Sequence, residues 1–498
     1  VCAAGVSQIQ RFRKVRHLPT VALVNPQLVS SGFGRGLRPQ TMDDALPRHS
    51  LLFLSGPLKG AGHEVVLLDL RLLADWAEYE RILQERSPEF VCITAHTVEV
   101  EVALECCRRA KRLLPGCTTV AGGIHFTMFP DLGEDEGIVD FVIRGEGELS
   151  LPELINDPTT FPRASWGEPP DLDALPFSDR ELYPDYVERI GFSIWDLPTP
   201  LVDMITGRGC PWQCRFCCGP GEQNLFTGSS RHEPGARRPL IRRRSVADVL
   251  DEMEALYDRY RFRSVVFHDD QFVIRPGWVE EFCAALHRHG FVERDIRWWA
   301  ASRSDVICRY PELIATMRDA GLEVISIGFE SFSDRMLEWM RKETTREENL
   351  RAAEICHGLG LTIFANVIFG MPYSDGVWYR EDDEASLAAI RQIGPKHFSP
   401  SFFDPIPGSW LYDWAVERNL LIAERPPSTG DRRPDLAKIR GVDYGWLAGQ
   451  LDSYRQECGP AVAPRVPLRH RLWRFASKPL PEKVGAIRER LNRLFSRR

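Results

Sequence analysis

The chain has 498 residues, 43% of them hydrophobic and 27% charged, and a formal net charge of −7. That length calls for two or three domains, each with its own core, and excludes a small scaffold stapled by disulfides. The acidic balance argues against a general nucleic-acid binder, and no apolar run reaches the roughly 18 residues of a membrane span.

Residues 1–19 carry Arg11, Arg13, Lys14 and Arg16 but no apolar core followed by a cleavage site, so they read as an N-terminal extension. An odd thirteen cysteines suit a reducing, cytoplasmic setting, with Cys92, Cys106, Cys107, Cys117, Cys283, Cys308 and Cys356 as mostly buried thiols. From 20 to 150, β-rich runs at Thr20 to Asn25, Glu64 to Asp69, Glu89 to Thr94, Thr118 to Gly122 and Val139 to Ile143 alternate with helical stretches around Pro47 to Lys59, Asp75 to Glu85 and Val98 to Leu113. This alternation predicts an α/β, doubly wound, Rossmann-like domain whose ligands sit beyond the strands' carboxyl ends. The segments there are Asn25-Pro26, Thr94 to Thr97, Gly122-Gly123-Ile124-His125 and Gly145-Glu146-Gly147-Glu148. Gly32-Phe33-Gly34-Arg35-Gly36 lacks the third glycine of a dinucleotide fingerprint and reads as a mobile loop.

Nine prolines between 151 and 200 mark a linker. Beyond it come six strand-like runs: Leu201 to Ile205, Arg263 to Phe267, Trp298 to Ser302, Val324 to Phe329, Ile363 to Ile368 and His397 to Phe403. Helices separate most of them, among them an apolar stripe of Val246, Val249, Leu250, Met253, Leu256 and Tyr257 behind a capping-box-like Ser245. Six β/α units over 201–410 predict a partial barrel with its chemistry at the strand carboxyl ends. A C-terminal helical region, 411–498, follows. Its last part, 461–498, holds eleven Lys or Arg against Glu482 and Glu489; a helix packed across the acidic body is favoured there over one lying on an anionic membrane.

Just past the first of these strands stand Cys210, Cys214 and Cys217 in Gly209-Cys210-Pro211-Trp212-Gln213-Cys214-Arg215-Phe216-Cys217. Closing an iron–sulfur cube takes a thiolate on each iron, so three close-set cysteines without an obvious fourth leave one iron open to a small-molecule ligand. The competing reading is a zinc site completed by His232 or His268, a structural or nucleic-acid-binding module, but zinc ligands usually come in two close pairs and no second pair follows. Cys218 reads as a bystander, since neighbouring side chains diverge. Other strand ends carry Asp269 and Asp270, Arg303, Glu330, and Phe369-Gly370-Met371-Pro372. Each has a bland alternative: Asp caps helices, and Arg303 can pair with Asp305. The recurrence at successive strand ends favours a site. For the basic loop Arg231 to Arg244 and the pair Trp298 and Trp299, a solvated loop and core tryptophans are favoured over a surface facing the substrate.

The cysteine run resembles the cluster signature of the radical S-adenosylmethionine (SAM) enzymes. From about Thr20 to Pro407 the chain resembles those members that carry an N-terminal cobalamin-binding domain, through Gly122-Gly123-Ile124-His125 to Pro130, Arg144 to Glu148, Asp171-Leu172-Asp173 with Leu175-Pro176, Phe267 to Phe272, Ile327 to Ser331 and Pro405 to Ser409. The resemblance implies a 4Fe–4S cluster on the three cysteines and SAM chelated to its open iron. Asp269 or Asp270 would then lie near the SAM amino group, Arg303 and Glu330 near its ribose or carboxylate, and Gly370 along its adenine. Cobalamin is expected against Gly122, Gly123 and Gly145. Some cobalamin domains carry Asp-x-His-x-x-Gly, and nothing from 20 to 150 matches it, which the resemblance reads either as cobalt without a histidine ligand from below, the favoured case, or as a fold that has lost the cofactor. A tRNA methylthiotransferase would add a second three-cysteine cluster, which this domain's cysteines do not supply. The expected chemistry is reductive cleavage of SAM to a 5′-deoxyadenosyl radical that abstracts hydrogen from an unactivated carbon of a small-molecule substrate. Cobalamin-dependent C-methylation is favoured over cobalamin-independent dehydration, rearrangement or cyclisation. The expected partner is a one-electron donor of flavodoxin or ferredoxin type.

Overall fold

The computed structural model describes residues 18–26, 33, 45–134, 136–183, 185–190, 197–226, 228, 241–422 and 439–457. The 1–17 part of the N-terminal extension, the glycine loop apart from Phe33, the 231–240 part of the basic loop, including His232, and the basic tail lie outside the described residues.

The first unit alternates β1 (Thr20–Asn25), α1 (His49–Gly60), β2 (Glu64–Asp69), α2 (Trp76–Arg86), β3 (Phe90–Thr94), α3 (Val100–Leu113), β4 (Thr118–Gly122), α4 (Ile124–Met128), β5 (Phe141–Arg144), α5 (Ser150–Asn156) and β6 (Ala164–Trp166). The strands form one parallel sheet in the order β2-β1-β3-β4-β5-β6. Because successive side chains on a strand point to opposite faces, Val21 and Leu23 join Cys92, Val120 and Ile143 under α1 and α5, whereas Ala22 and Val24 join Ile93, Ala121 and Val142 under α2 and α3. The order reverses between β1 and β3, the switch point at which an open sheet of this kind leaves a crevice for a ligand.

The second unit runs through α6 (Tyr186–Ile190), β7 (Leu201–Met204), β8 (Gly207–Arg208), α7 (Gly219–Phe226), β9 (Arg242–Arg243), α8 (Val246–Tyr260), β10 (Ser264–Phe267), α9 (Pro276–Arg288), β11 (Arg297–Ser302), α10 (Ser304–Arg309), α11 (Pro311–Asp319), β12 (Leu322–Glu330), α12 (Asp334–Trp339), α13 (Arg346–Gly358), β13 (Thr362–Phe369), α14 (Arg380–Ile393), β14 (His397–Phe402), α15 (Trp410–Glu417) and α16 (Tyr444–Glu457). Six strands, β14-β13-β12-β11-β10-β7, make an all-parallel open sheet, the expected partial barrel; β8 and β9 form a separate antiparallel ribbon. Helix starts are set locally: Ser245 caps α8 through the Asp248 amide at 3.2 Å, and Thr345 with Glu348 forms a capping box on α13.

The proline-rich stretch is more than a linker. It contributes α5, the edge strand β6 and α6, because three residues between prolines suffice for a parallel edge and the prolines fall outside the paired positions. It also joins the two units. Tyr183 donates to Asp69 Oδ2 at 2.7 Å, where Arg71 also pairs; Ser55 and Lys59 of α1 both reach Asp179; and His49 at the start of α1 contacts Asp203 of β7 at 3.0 Å.

Candidate functional site

The cysteine loop leaves β7 and is anchored at once. Asp269, just past β10, accepts from the Thr206 amide at 2.8 Å, the Gly207 amide at 2.7 Å and the Thr206 hydroxyl, and Arg243 Nη2 lies 3.3 Å away. Both of its oxygens are therefore used by the protein, so Asp269 fixes the loop and leaves the outward position to Asp270. Asp270 is accessible, yet it lies in a recess where burial and then Asp269 push its carboxyl upward.

Around the loop, Arg303 Nη1 comes within 3.9 Å of Cys214 Sγ while its guanidinium covers Trp212 at 4.4 Å. Asp305 at 2.8 Å and the Lys342 carbonyl pin it there, so the local pair and the place beside the cluster loop coexist. Glu330 pairs with Lys342 at 3.1 Å, and Lys342 stands 5.9 Å over Phe216. Glu330 has φ of 63°, a left-handed conformation costly for a non-glycine residue, at the bulge between β12 and β13. Gly328 makes room for the pair: a Cβ there would meet Glu330 Oε1 at 2.5 Å and Lys342 Nζ at 3.0 Å. Arg303, Glu330 and Lys342 thus gather at Cys214. Gly370 does not join them. Its amide donates to Asp383 at 2.9 Å, and a Cβ there would press on Val442 and Leu447.

The Cys210 and Cys214 thiols are half-buried and Cys217 is accessible. Burial pushes Cys210 up to about 11, and raises Cys214 despite Lys342 and Arg303 nearby. Binding a metal there would release protons. Among the described residues no three His, Cys, Asp or Glu side chains converge as a mononuclear metal needs. Cys218 is half-buried beside Cys217, whose Sγ accepts from the Gly219 amide at 3.4 Å. His268 lies beside Asp203, at 3.3 Å.

Between the two units lies a cavity of about 320 Å³. Gly122, Gly123, Gly145 and Thr94 form its rim on the first sheet, and Gly207, Arg208, His268 and Asp270 face it from the second unit. From the rim it runs inward between sheet and helices along Leu51, Leu54, Cys92, Val120, Ile143 and Leu151. Gly123 has φ of 87°, and a Cβ would lie 2.9 Å from the Ala95 amide, so only glycine brings the chain this low at the rim. A glycine-lined polar mouth over an apolar slot suits one part of a larger ligand, and glycines that let the backbone lie close are compatible with a flat macrocycle such as cobalamin. Arg208 and Arg242 of the ribbon both grip Glu146, and Arg208 also holds Glu148 at 2.7 Å, locking the Gly145 loop to the cysteine loop's base.

Sequence reasoning missed Lys342, His49, Asp203 and Glu222. Lys342 follows a helix in an ordinary charged stretch, and Asp203 sits in an apolar strand where one acidic residue is the only signal. Glu222 is pushed up to about 7 by burial, then by Glu146 and Asp270. Arg242, Arg243 and Arg244 belong to a packed ribbon and its exit rather than to a solvated loop: Arg243 covers Trp278 at 4.1 Å and Arg244 pairs with buried Glu252. Trp298 is core, donating to the Ala320 carbonyl at 2.9 Å, and Trp299 is partly exposed near His268.

Comparison with known proteins agrees with this division. Residues 204–378 match the family model of the radical SAM superfamily, and residues 45–155 that of the B12 binding domain. An uncharacterized methyltransferase, PH0819, of Pyrococcus horikoshii is 28% identical over 383 residues, covering 72% of this chain and 76% of its own. The hopanoid C-3 methylase of Methylococcus capsulatus is 27% identical over 462 residues, 85% of this chain and 82% of its own. The solved structure of the radical SAM methyltransferase TsrM from Kitasatospora setae, with cobalamin and a [4Fe-4S] cluster bound, shares the fold with a TM-score of 0.59 at 20% identity, over 85% of this chain and 83% of that one. With both domain models matched in the order the two sheets take along the chain, this protein belongs to the radical SAM enzymes that carry an N-terminal B12-binding domain.

Proposed function

We propose that the protein is a cobalamin-dependent radical SAM C-methyltransferase acting on a small-molecule substrate. The observation that carries this reading is the shared cavity: the glycine rim of the first sheet and the base of the cysteine loop line one space, so a methyl carrier seated on the rim lies against the radical-generating loop. Cys210, Cys214 and Cys217 hold the 4Fe–4S cluster, Asp270 takes the SAM amino group, and Arg303 with the Glu330–Lys342 pair takes its carboxylate and ribose. Gly122, Gly123 and Gly145 would hold cobalamin, and residues 20–150 contain no Asp-x-His-x-x-Gly motif. When bound, the cluster and SAM supply a hydrogen-abstracting radical and cobalamin supplies the methyl group. The protein's share is position: Asp269 sets the loop and Arg303 places a cation beside Cys214. The electron comes from a donor of flavodoxin or ferredoxin type.

The test is anaerobic reconstitution with iron, sulfide and hydroxocobalamin, followed by reduction with methyl-labelled SAM. About four irons per chain, lost when the three cysteines become alanine, and formation of both 5′-deoxyadenosine and S-adenosylhomocysteine with label retained on the corrinoid are expected. Formation of 5′-deoxyadenosine alone, with no corrinoid retained, would overturn the methyl-transfer reading and keep the radical one.

A further inference from the structure

Asp203 lies fully buried in β7, with two histidines on one of its oxygens. His49 Nε2, from the first unit, is 3.0 Å from Oδ2, and His268 Nε2, from the end of β10, is 3.3 Å from the same atom. Tyr186 donates to Oδ1 at 2.6 Å, and Arg180 donates to the Asp203 carbonyl. Burial pushes the Asp203 carboxyl up, but His49 and His268 outweigh it and hold it well below the usual range. Both Nε2 atoms and Oδ2 are buried and meet no other polar partner among the described residues, so this carboxylate is the group against which an Nε2 proton would be set, although neither contact has the angle of a formed hydrogen bond.

For His49 the other ring nitrogen is taken up within the protein, 3.0 Å from Ser178 Oγ. His268 differs. Its Nε2 is buried, its ring lines the cavity, and Nδ1 forms no hydrogen bond among the described residues. The open edge of the ring is therefore the one carrying Nδ1, a lone-pair acceptor once Nε2 holds the proton. A carboxylate-oriented imidazole with its second nitrogen turned to a ligand cavity is a built acceptor site.

We infer that His268, set by Asp203, is the acceptor that the second unit offers to an O–H or N–H of the molecule bound in the cavity. This rests on the reading above that the cavity holds cobalamin. Two donors on that molecule have the required chemistry: water on cobalt, and the amide groups at the corrin edge. The charged groups around His268 are Asp203 on β7, His49 on α1, Asp270 two residues on, and the Arg208–Glu146–Glu148 set across the cavity.

The experiment uses the full chain loaded with hydroxocobalamin, as wild type, His268→Ala and His268→Gln, the last restoring an acceptor oxygen. Two quantities are read: corrinoid affinity, and the spectroscopic midpoint between the water and hydroxide forms of the bound cofactor. If cobalt-bound water is the donor, the wild-type midpoint lies higher than in His268→Ala by about one pH unit, with Gln between them. If a corrin amide is the donor, midpoints coincide, His268→Ala binds about fivefold to tenfold more weakly, and Gln restores affinity. Equal midpoints and equal affinities in folded wild type and His268→Ala overturn the inference and leave the cavity assignment intact. A wild type that retains no corrinoid removes both.

Discussion

At the residue scale, Asp383 shows how a buried group ties stability to pH. Its Oδ2 accepts from the Gly370 amide at 2.9 Å and from Trp378 Nε1 at 2.7 Å, and burial, the largest influence, pushes its carboxyl up to about 7. An unfolded aspartate ionises near 3.8, so between that pH and about 7 the unfolded chain has released a proton that the folded chain still holds. Stability therefore falls as pH rises through this window and levels off above it. Asp383→Asn keeps an acceptor oxygen and cannot ionise. It is expected to be more stable than wild type at pH 8 by about 1 to 3 kcal/mol and equal to it near pH 4, as read from urea midpoints at the two pH values. Which residues were legible at this scale follows from how local their signal was. The three cysteines announced themselves by spacing. Asp269 was visible as a strand-end acid but not its duty, because its partners Thr206 and Gly207 lie sixty residues away in sequence. Lys342 and Asp203 matter only through contacts that the sheet creates.

At the element scale, the strands were legible almost to the residue because period-two burial and turn residues are local properties; β2 and β4 run over the expected spans, Glu64–Asp69 and Thr118–Gly122. The ribbon of β8 and β9 and the edge strand β6 escaped because each is two or three residues long and owes its form to what it touches. The ribbon's arginines clamp Glu146, so Glu146→Ala strips a shared partner from two part-buried guanidiniums. A loss of about 1 to 3 kcal/mol is expected. Faster amide exchange should appear in 145–148, 205–209 and 241–244, while β3, β4 and the second sheet stay protected. Uniform acceleration across both sheets would show that the clamp holds the whole fold rather than the cavity mouth.

At the scale of the whole molecule, the two sheets could be foreseen but their joining could not. Composition marked 151–200 as a break, whereas Tyr183, Asp179 and Arg180 make it the seam that binds one unit to the other through buried charges. Buried pairs of this kind are costly to break singly, so the units should melt together. Scanning calorimetry of the full chain is expected to give one cooperative transition. Two resolved transitions would mean that the seam is weaker than its geometry implies. Among the described residues no helix is long and apolar enough to cross a membrane.

The cysteine loop has a tie reaching far along the chain. The Arg215 amide donates to the Met340 carbonyl at 2.9 Å, the Leu411 amide donates to the Arg215 carbonyl at 3.0 Å, and the Arg215 guanidinium is held between Trp339 and Trp410 at 4.9 and 4.4 Å. During synthesis the loop leaves the ribosome roughly two hundred residues before Leu411, a delay on the order of 10 to 40 s at ordinary elongation rates. Over that interval the loop gains its ties to Asp269, Arg303 and Met340 but not the one from Leu411 and Trp410. The last tie on the loop is thereby made only once α15 has emerged, and a chain truncated before α15 is expected to carry all three cysteines with that tie missing.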